Sequence, residues 1–180
     1  SLALTGTGQA RIVFGDEDGL LSGDGLRYAQ QASLPSTDFS VTTVPETGSY
    51  FAPYALAHDG SRAHLVYGNS SELIYRLRTL AGGWDEPESL MTAGYFRSVA
   101  VTTDADNRVH VLAATTADGV WYFTNRHGSW ESRQLLAPTA EWYVSDCAID
   151  IDPSGRAHML FLGGSNRRST NVWYAVSPAS

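Results

Sequence analysis

Three histidines occur in one recurring phrase: His64 in "HDGSRAHLVYG", His110 in "ADNRVHVLA" and His158 in "DPSGRAHMLFLG". Imidazoles invite a metal hypothesis. Each phrase belongs to a different copy of a repeat, however, and equivalent positions of separate repeats lie too far apart for ligand bonds of about 2 Å to a single ion. No metal site and no cofactor are expected. Each His starts a strand just after an Asp-bearing turn, so its expected partner is a carbonyl or carboxylate of its own unit. Arg11 takes the same position in the first unit.

A second set of residues suits recognition. The segments "TVPETGSYFAP", "LMTAGYFRS" and "LAPTAEWYVS" place the aromatic pairs Tyr50–Phe51, Tyr95–Phe96 and Trp142–Tyr143 at corresponding points, with Arg97 and Asp146 close behind at similar inner-strand positions. Flat rings cover apolar faces of a sugar or peptide, and nearby polar groups fix its orientation. The candidate ligand-binding residues are therefore Tyr50, Tyr95, Arg97, Trp142, Tyr143 and Asp146. The competing reading makes one member of each pair a space-filler near the centre of the molecule. Glycosidic cleavage or elimination would need an acid–base pair placed at one bond. The spacing identifies no such pair, and no catalytic residue is assigned. G-x-S-x-G, H-E-x-x-H and a phosphate-binding Gly loop are absent, and "GTGQA" is only a turn fragment.

The elements that must position these residues come from the repeat. The first phrase of each unit reads "LALTGTGQARIVFG", "YALAHDGSRAHLVYG", "VAVTTDADNRVHVLA" and "CAIDIDPSGRAHMLFLG". The second carries a tyrosine strand, with Tyr28, Tyr75, Tyr122 and Tyr174 spaced by 47, 47 and 52 residues. The third contains Gly-Gly-Trp or Gly-x-Trp turns at Trp84 and Trp130, where the first unit has "STDFSVTTV". These tryptophans are expected to pack between units, with a local acceptor for the indole N–H.

A period near 47 suits a four-stranded propeller blade, and the segments behave as strands. They are short, rich in Val, Leu, Tyr and Trp, and punctuated by Gly, Asp, Asn and Ser. Helical apolar periodicity is missing. "RIVFG" and "HMLFL" are apolar on both faces, as sheets packed on both sides require. The expected fold is all-β: a propeller of four blades at about 1–49, 50–94, 95–141 and 142–180, forming one region, with about 15 strands and an incomplete last blade. The strand at 171–177 lacks a fourth partner. Further blades, a second copy or the N-terminal segment are expected to cover that edge.

Composition sets the remaining bounds. The 180 residues are 43% hydrophobic and 11% aromatic, with a net charge of −7. An acidic chain without a basic stripe argues against nucleic acid as the main partner. No apolar run approaches a membrane span. The single Cys147, in the alternating "SDCAIDI", reads as a buried, inert thiol. A start at Ser rather than Met reads as a trimmed or processed chain, and the low Lys content with Gly/Ser/Thr-rich turns points to secretion.

The Asp-x-x-Gly-x-x-His turn, the later Tyr strand and the Gly-x-Trp turn resemble bacterial β-propeller repeat proteins, distant relatives of sialidase-type propellers. The sialidase Asp box joins the third and fourth strands of a blade, whereas the Asp–Gly turn here joins the first and second. Sialidase chemistry is therefore not transferred. The preferred reading is a non-enzymatic, lectin-like module that binds carbohydrate or protein through aromatic and polar loops on one face. The alternatives are part of a sialidase-like, polysaccharide-lyase or glycosidase propeller enzyme, and a structural scaffold.

Overall fold

The computed structural model describes residues 1–15, 25–47, 53–79, 81–137, 143–166 and 169–177, apart from the side chains of 143, 165, 166, 169 and 170. Fifteen strands and no helix are present among the described residues. The first sheet comprises β1 (Leu2–Leu4), β2 (Ala10–Gly15), β3 (Leu26–Gln31) and β4 (Phe39–Thr43). The second comprises β5 (Tyr54–His58), β6 (Ala63–Gly68), β7 (Glu72–Arg78) and β8 (Glu88–Thr92). The third comprises β9 (Phe96–Thr103), β10 (Val109–Thr115), β11 (Val120–Thr124) and β12 (Glu131–Leu136). The fourth has three strands: β13 (Tyr143–Ile151), β14 (Ala157–Asn166) and β15 (Ser169–Val176). Every sheet is an antiparallel meander in chain order. The longer last interval in the tyrosine spacing is the extended β14–β15 hairpin, whose pairing runs out to Asn166 and Ser169.

The sheets follow one another through their first strands, with β1 against β5, β5 against β9 and β9 against β13. Three apolar layers fill the gaps. Val13, Leu26, Tyr28 and Val44 of the first unit meet Leu56, Leu65 and Tyr67 of the second. Val66, Leu73 and Tyr75 meet Phe96, Val111 and Phe123. Leu112, Ala114 and Val120 meet Val144, Met159 and Phe161. A central strand such as β6 is thus buried at every residue, one face per layer, which accounts for its unbroken apolar sequence.

The turns between first and second strands give the repeat its signature. Asp59 Oδ1 accepts the N–H groups of Ser61 and Arg62. Asp104 and Asp152 do the same for Asp106 and Arg108, and for Ser154 and Arg156. These Asx turns place Asn107 and Gly155 at positive φ (62° and 79°), the region where Asn and Gly are favoured.

Candidate functional site

The three histidines are each held inside their own sheet. His110 Nε2 lies 3.3 Å and His158 Nε2 3.0 Å from the carboxylate of Asp104 and Asp152. His64 Nε2 lies 3.1 Å from Asp59 Oδ2, ion-pair range but out of line for a hydrogen bond. A carboxylate only accepts, so the ring proton sits on Nε2, and Nδ1 accepts from a tyrosine hydroxyl. Those tyrosines are Tyr75 at 2.8 Å, Tyr122 at 2.6 Å and Tyr174 at 2.5 Å. An arginine closes the set: Arg62 Nε and Arg156 Nε donate to Asp59 and Asp152 at 2.9 Å. Each Asp–His–Tyr chain ties the turn to the third strand of its sheet.

The electrostatics follow from this geometry. Burial alone would raise Asp59 and Asp104, but backbone N–H donors and the facing histidines outweigh it and hold both carboxyls below their usual range. Burial lowers His64 and His110, opposed in part by Asp59 and Asp104, so both rings are neutral near pH 7. Burial also pushes the Cys147 thiol up to about 12, which fits an inert side chain.

Both Gly-turn tryptophans pack across a sheet boundary onto the preceding unit's tyrosine. Trp84 meets Tyr28 edge-on at 5.5 Å, and Trp130 meets Tyr75 at 5.0 Å. Trp130 Nε1 donates to Glu88, whereas Trp84 Nε1 meets no acceptor among the described residues. The expected local acceptor therefore holds for one of the two.

The recognition residues divide. Tyr50 and Trp142 lie outside the described residues, as does the side chain of Tyr143. Within the Tyr95–Phe96 pair the two rings part company. Phe96 is 1% exposed, and Tyr95 is 54% exposed. Phe96 packs so closely on Gly68 that a Cβ there would lie 2.8 Å from the Phe96 Cβ. A β-bulge falls at Arg97 in β9, where Phe96 pairs with Thr115 and Ser98 with Ala114. Bulges re-aim side chains. Here Arg97 turns outward and its guanidinium stacks over the Tyr95 ring, 5.0 Å from the centroid. Tyr95 is held from the neighbouring loop, as Thr116 donates to its carbonyl through both N–H and Oγ1 at 3.1 Å. The loop before β9 and the β10–β11 turn therefore share one end of the sheet.

The strand register refines the sequence alignment. β13 carries the equivalent bulge at Ser145, so Arg97 corresponds to Ser145, Asp146 to Ser98, and Tyr95 to Tyr143 rather than Trp142. Asp146 is exposed, and its Oδ1 accepts from Ser98 Oγ at 2.7 Å. The two polar candidates thus sit on adjacent inner strands, one through a bulge and one through a cross-sheet hydrogen bond. Sequence spacing missed this one-residue offset because it matched aromatic pair to aromatic pair, whereas the register matches Phe96 with Val144.

No protein-family model and no curated protein sequence matches this chain. Solved structures do resemble it in fold. The intramolecular trans-sialidase of Ruminococcus gnavus, solved with oseltamivir carboxylate, superposes with a TM-score of 0.63 at 14% identity, over 93% of this chain and 40% of that one. A bifunctional GH43-CE protein from Bacteroides eggerthii gives 0.55 at 12% identity, over 99% and 26%. AofleA from Arthrobotrys oligospora gives 0.58 at 16% identity, over 100% and 57%. The chain thus spans between about a quarter and just over half of these structures. The likeness establishes the fold: four successive antiparallel sheets arranged as in these propeller-like proteins.

Proposed function

We propose that the chain is a run of consecutive β-propeller blades, part of a ring larger than four, and that it binds carbohydrate without transforming it. The observation that carries this reading is the Tyr95–Arg97 platform. It pairs a half-exposed ring just before β9 with the stacked guanidinium of Arg97 at the β9 bulge, and the next residue, Ser98, donates to the exposed carboxylate of Asp146. An aromatic face with charged and hydroxyl-bearing neighbours suits the alternating apolar and polar surfaces of a sugar ring. The names of the R. gnavus and B. eggerthii proteins support the same class of ligand.

The second reading, a piece of a glycosidase, draws on the same sialidase-like neighbours. A glycan array run beside a hydrolysis screen on the array's positive glycans separates the two. Retained binding with no cleavage supports the module; turnover of a bound glycan favours the enzyme. No binding to any glycan contradicts both.

A further inference from the structure

The first unit breaks the Asp–His–Tyr pattern in a way that creates a different site. Register aligns Thr5 with Asp59, Asp104 and Asp152, since each directly follows the last pairing residue of a first strand. Their backbones agree: the N–H of each donates to the carbonyl of Gln9, Arg62, Arg108 and Arg156 respectively. Arg11 replaces the histidine. The unit therefore has a cation where its sisters have a neutral ring, and a hydroxyl where they have a carboxylate. Arg11 is 9% exposed. Its guanidinium reaches the carbonyls of Ala10 and Gln31 and, at 3.5 Å, Gln9 Oε1, with no carboxylate partner among the described residues.

A second arginine arrives from the next unit. At the positions equivalent to Arg78, the Gln31, Asn125 and Ser177 side chains accept the first N–H of their second strands. Arginine has no acceptor to offer. Arg78 instead lies over the Tyr28 ring at 4.5 Å and near Trp84 at 5.7 Å. Arg11, Tyr28, Gln30, His58, Arg78 and Thr79 are among the residues lining a cleft of about 250 Å³ between the first two sheets, whose described walls contain no acidic side chain. His58 Nδ1 accepts from the Gly60 N–H, so the neutral ring keeps its proton on Nε2 as a donor. Asp59, next to His58 in sequence, is already bonded to Arg62 and its own turn.

We propose that this cleft binds a small organic carboxylate, whose carboxyl group pairs with Arg11 and Arg78. Guanidinium groups match carboxylates in planar, two-point contacts. A ligand would thus supply the charge that an Asp side chain supplies in the three sister units. Gln30 lines the cleft with the hydroxyls of Ser61 and Thr79, which donate to Asp59 and Gly83 and can still accept from the ligand's hydroxyls. The site is separate from the Tyr95–Arg97 platform and does not depend on it.

The test is a titration followed by the side-chain NMR signals of His58 and Trp84, with sodium glucuronate as probe and glucose and sodium sulfate as controls. Saturable shifts with glucuronate are expected, none with glucose and weaker ones with sulfate. Arg78→Gln should weaken glucuronate at least tenfold, whereas Arg133→Gln, on the exposed outer strand β12, should leave its Kd unchanged. The His58 pKa should rise on binding, as an anion offsets Arg11. In the wild-type protein, no saturable response, or an equal response to glucose or sulfate, overturns the proposal. So does an unchanged Kd in a folded Arg78→Gln or, should that variant unfold, in Arg11→Gln.

Discussion

At the scale of single residues, the same residue type plays opposite parts according to what covers it. Tyr95 and Phe96 are adjacent and chemically close, yet one is surface and the other core. The difference is Gly68, whose missing side chain admits Phe96. Gly68→Ala should cost about 1–3 kcal/mol through overpacking, measured by chemical denaturation; an unaffected midpoint would show that Phe96 has room to move. His64→Ala removes the partner of two buried groups, the Tyr75 hydroxyl and Asp59. It should destabilise by about 1–3 kcal/mol, with no change in bound metal. The sequence made the His role legible because the Asp and Tyr recur with it at fixed offsets. It did not reveal Thr5 as the degenerate Asp, nor Arg78 as a visitor to the preceding unit, since both are visible only once strands are in register.

At the scale of elements, the turn and its Asp–His–Tyr chain make stability depend on pH with a definite sign. His64 and His110 titrate lower in the folded protein than in the unfolded chain. Below about pH 6.5 the unfolded chain therefore binds more protons, and stability falls as pH drops. Asp59, Asp104 and Asp152 are also held low when folded. Their contribution is present above about pH 3.9 and is lost as pH falls further, a second step in the same direction. Melting temperature should thus decline in two phases on acidification from pH 7. In His64→Gln/His110→Gln the upper phase should shrink to the part His58 contributes, which burial and Arg11 also hold low; an undiminished upper phase would place the titration elsewhere. Strand order and sheet count were readable from period and turn residues. The bulges at Arg97 and Ser145 were not, because no residue type marks them.

At the scale of the whole molecule, two faces stand out. The outer face of the first sheet exposes Leu2, Leu4, Phe14, Phe39 and Val41, and that of the last exposes Leu160, Val172, Tyr174 and Val176. Equivalent residues of the middle units, such as Val66 and Tyr75 for Leu160 and Tyr174 or Ala113 for Phe14, are buried in the layer between the second and third sheets. Tyr174 is 61% exposed where Tyr75 is 9%, for want of a tryptophan like Trp130 against it. The sequence is written for two-sided burial, and these faces receive it on one side only. The 180-residue chain should therefore self-associate with rising concentration, read by light scattering, and Val172→Lys/Tyr174→Lys should suppress it. A monomer at every concentration would contradict this.

The account rests most heavily on Tyr95 being a surface for ligand and not a part of the core. Calorimetric titration of an array-positive oligosaccharide into wild type and Tyr95→Ala, with thermal melts of both, tests this directly. The prediction is binding weakened by about 1–3 kcal/mol, the range for losing an aromatic hot-spot contact, at an unchanged Tm. Undiminished binding together with a lowered Tm would contradict it and return Tyr95 to a packing role.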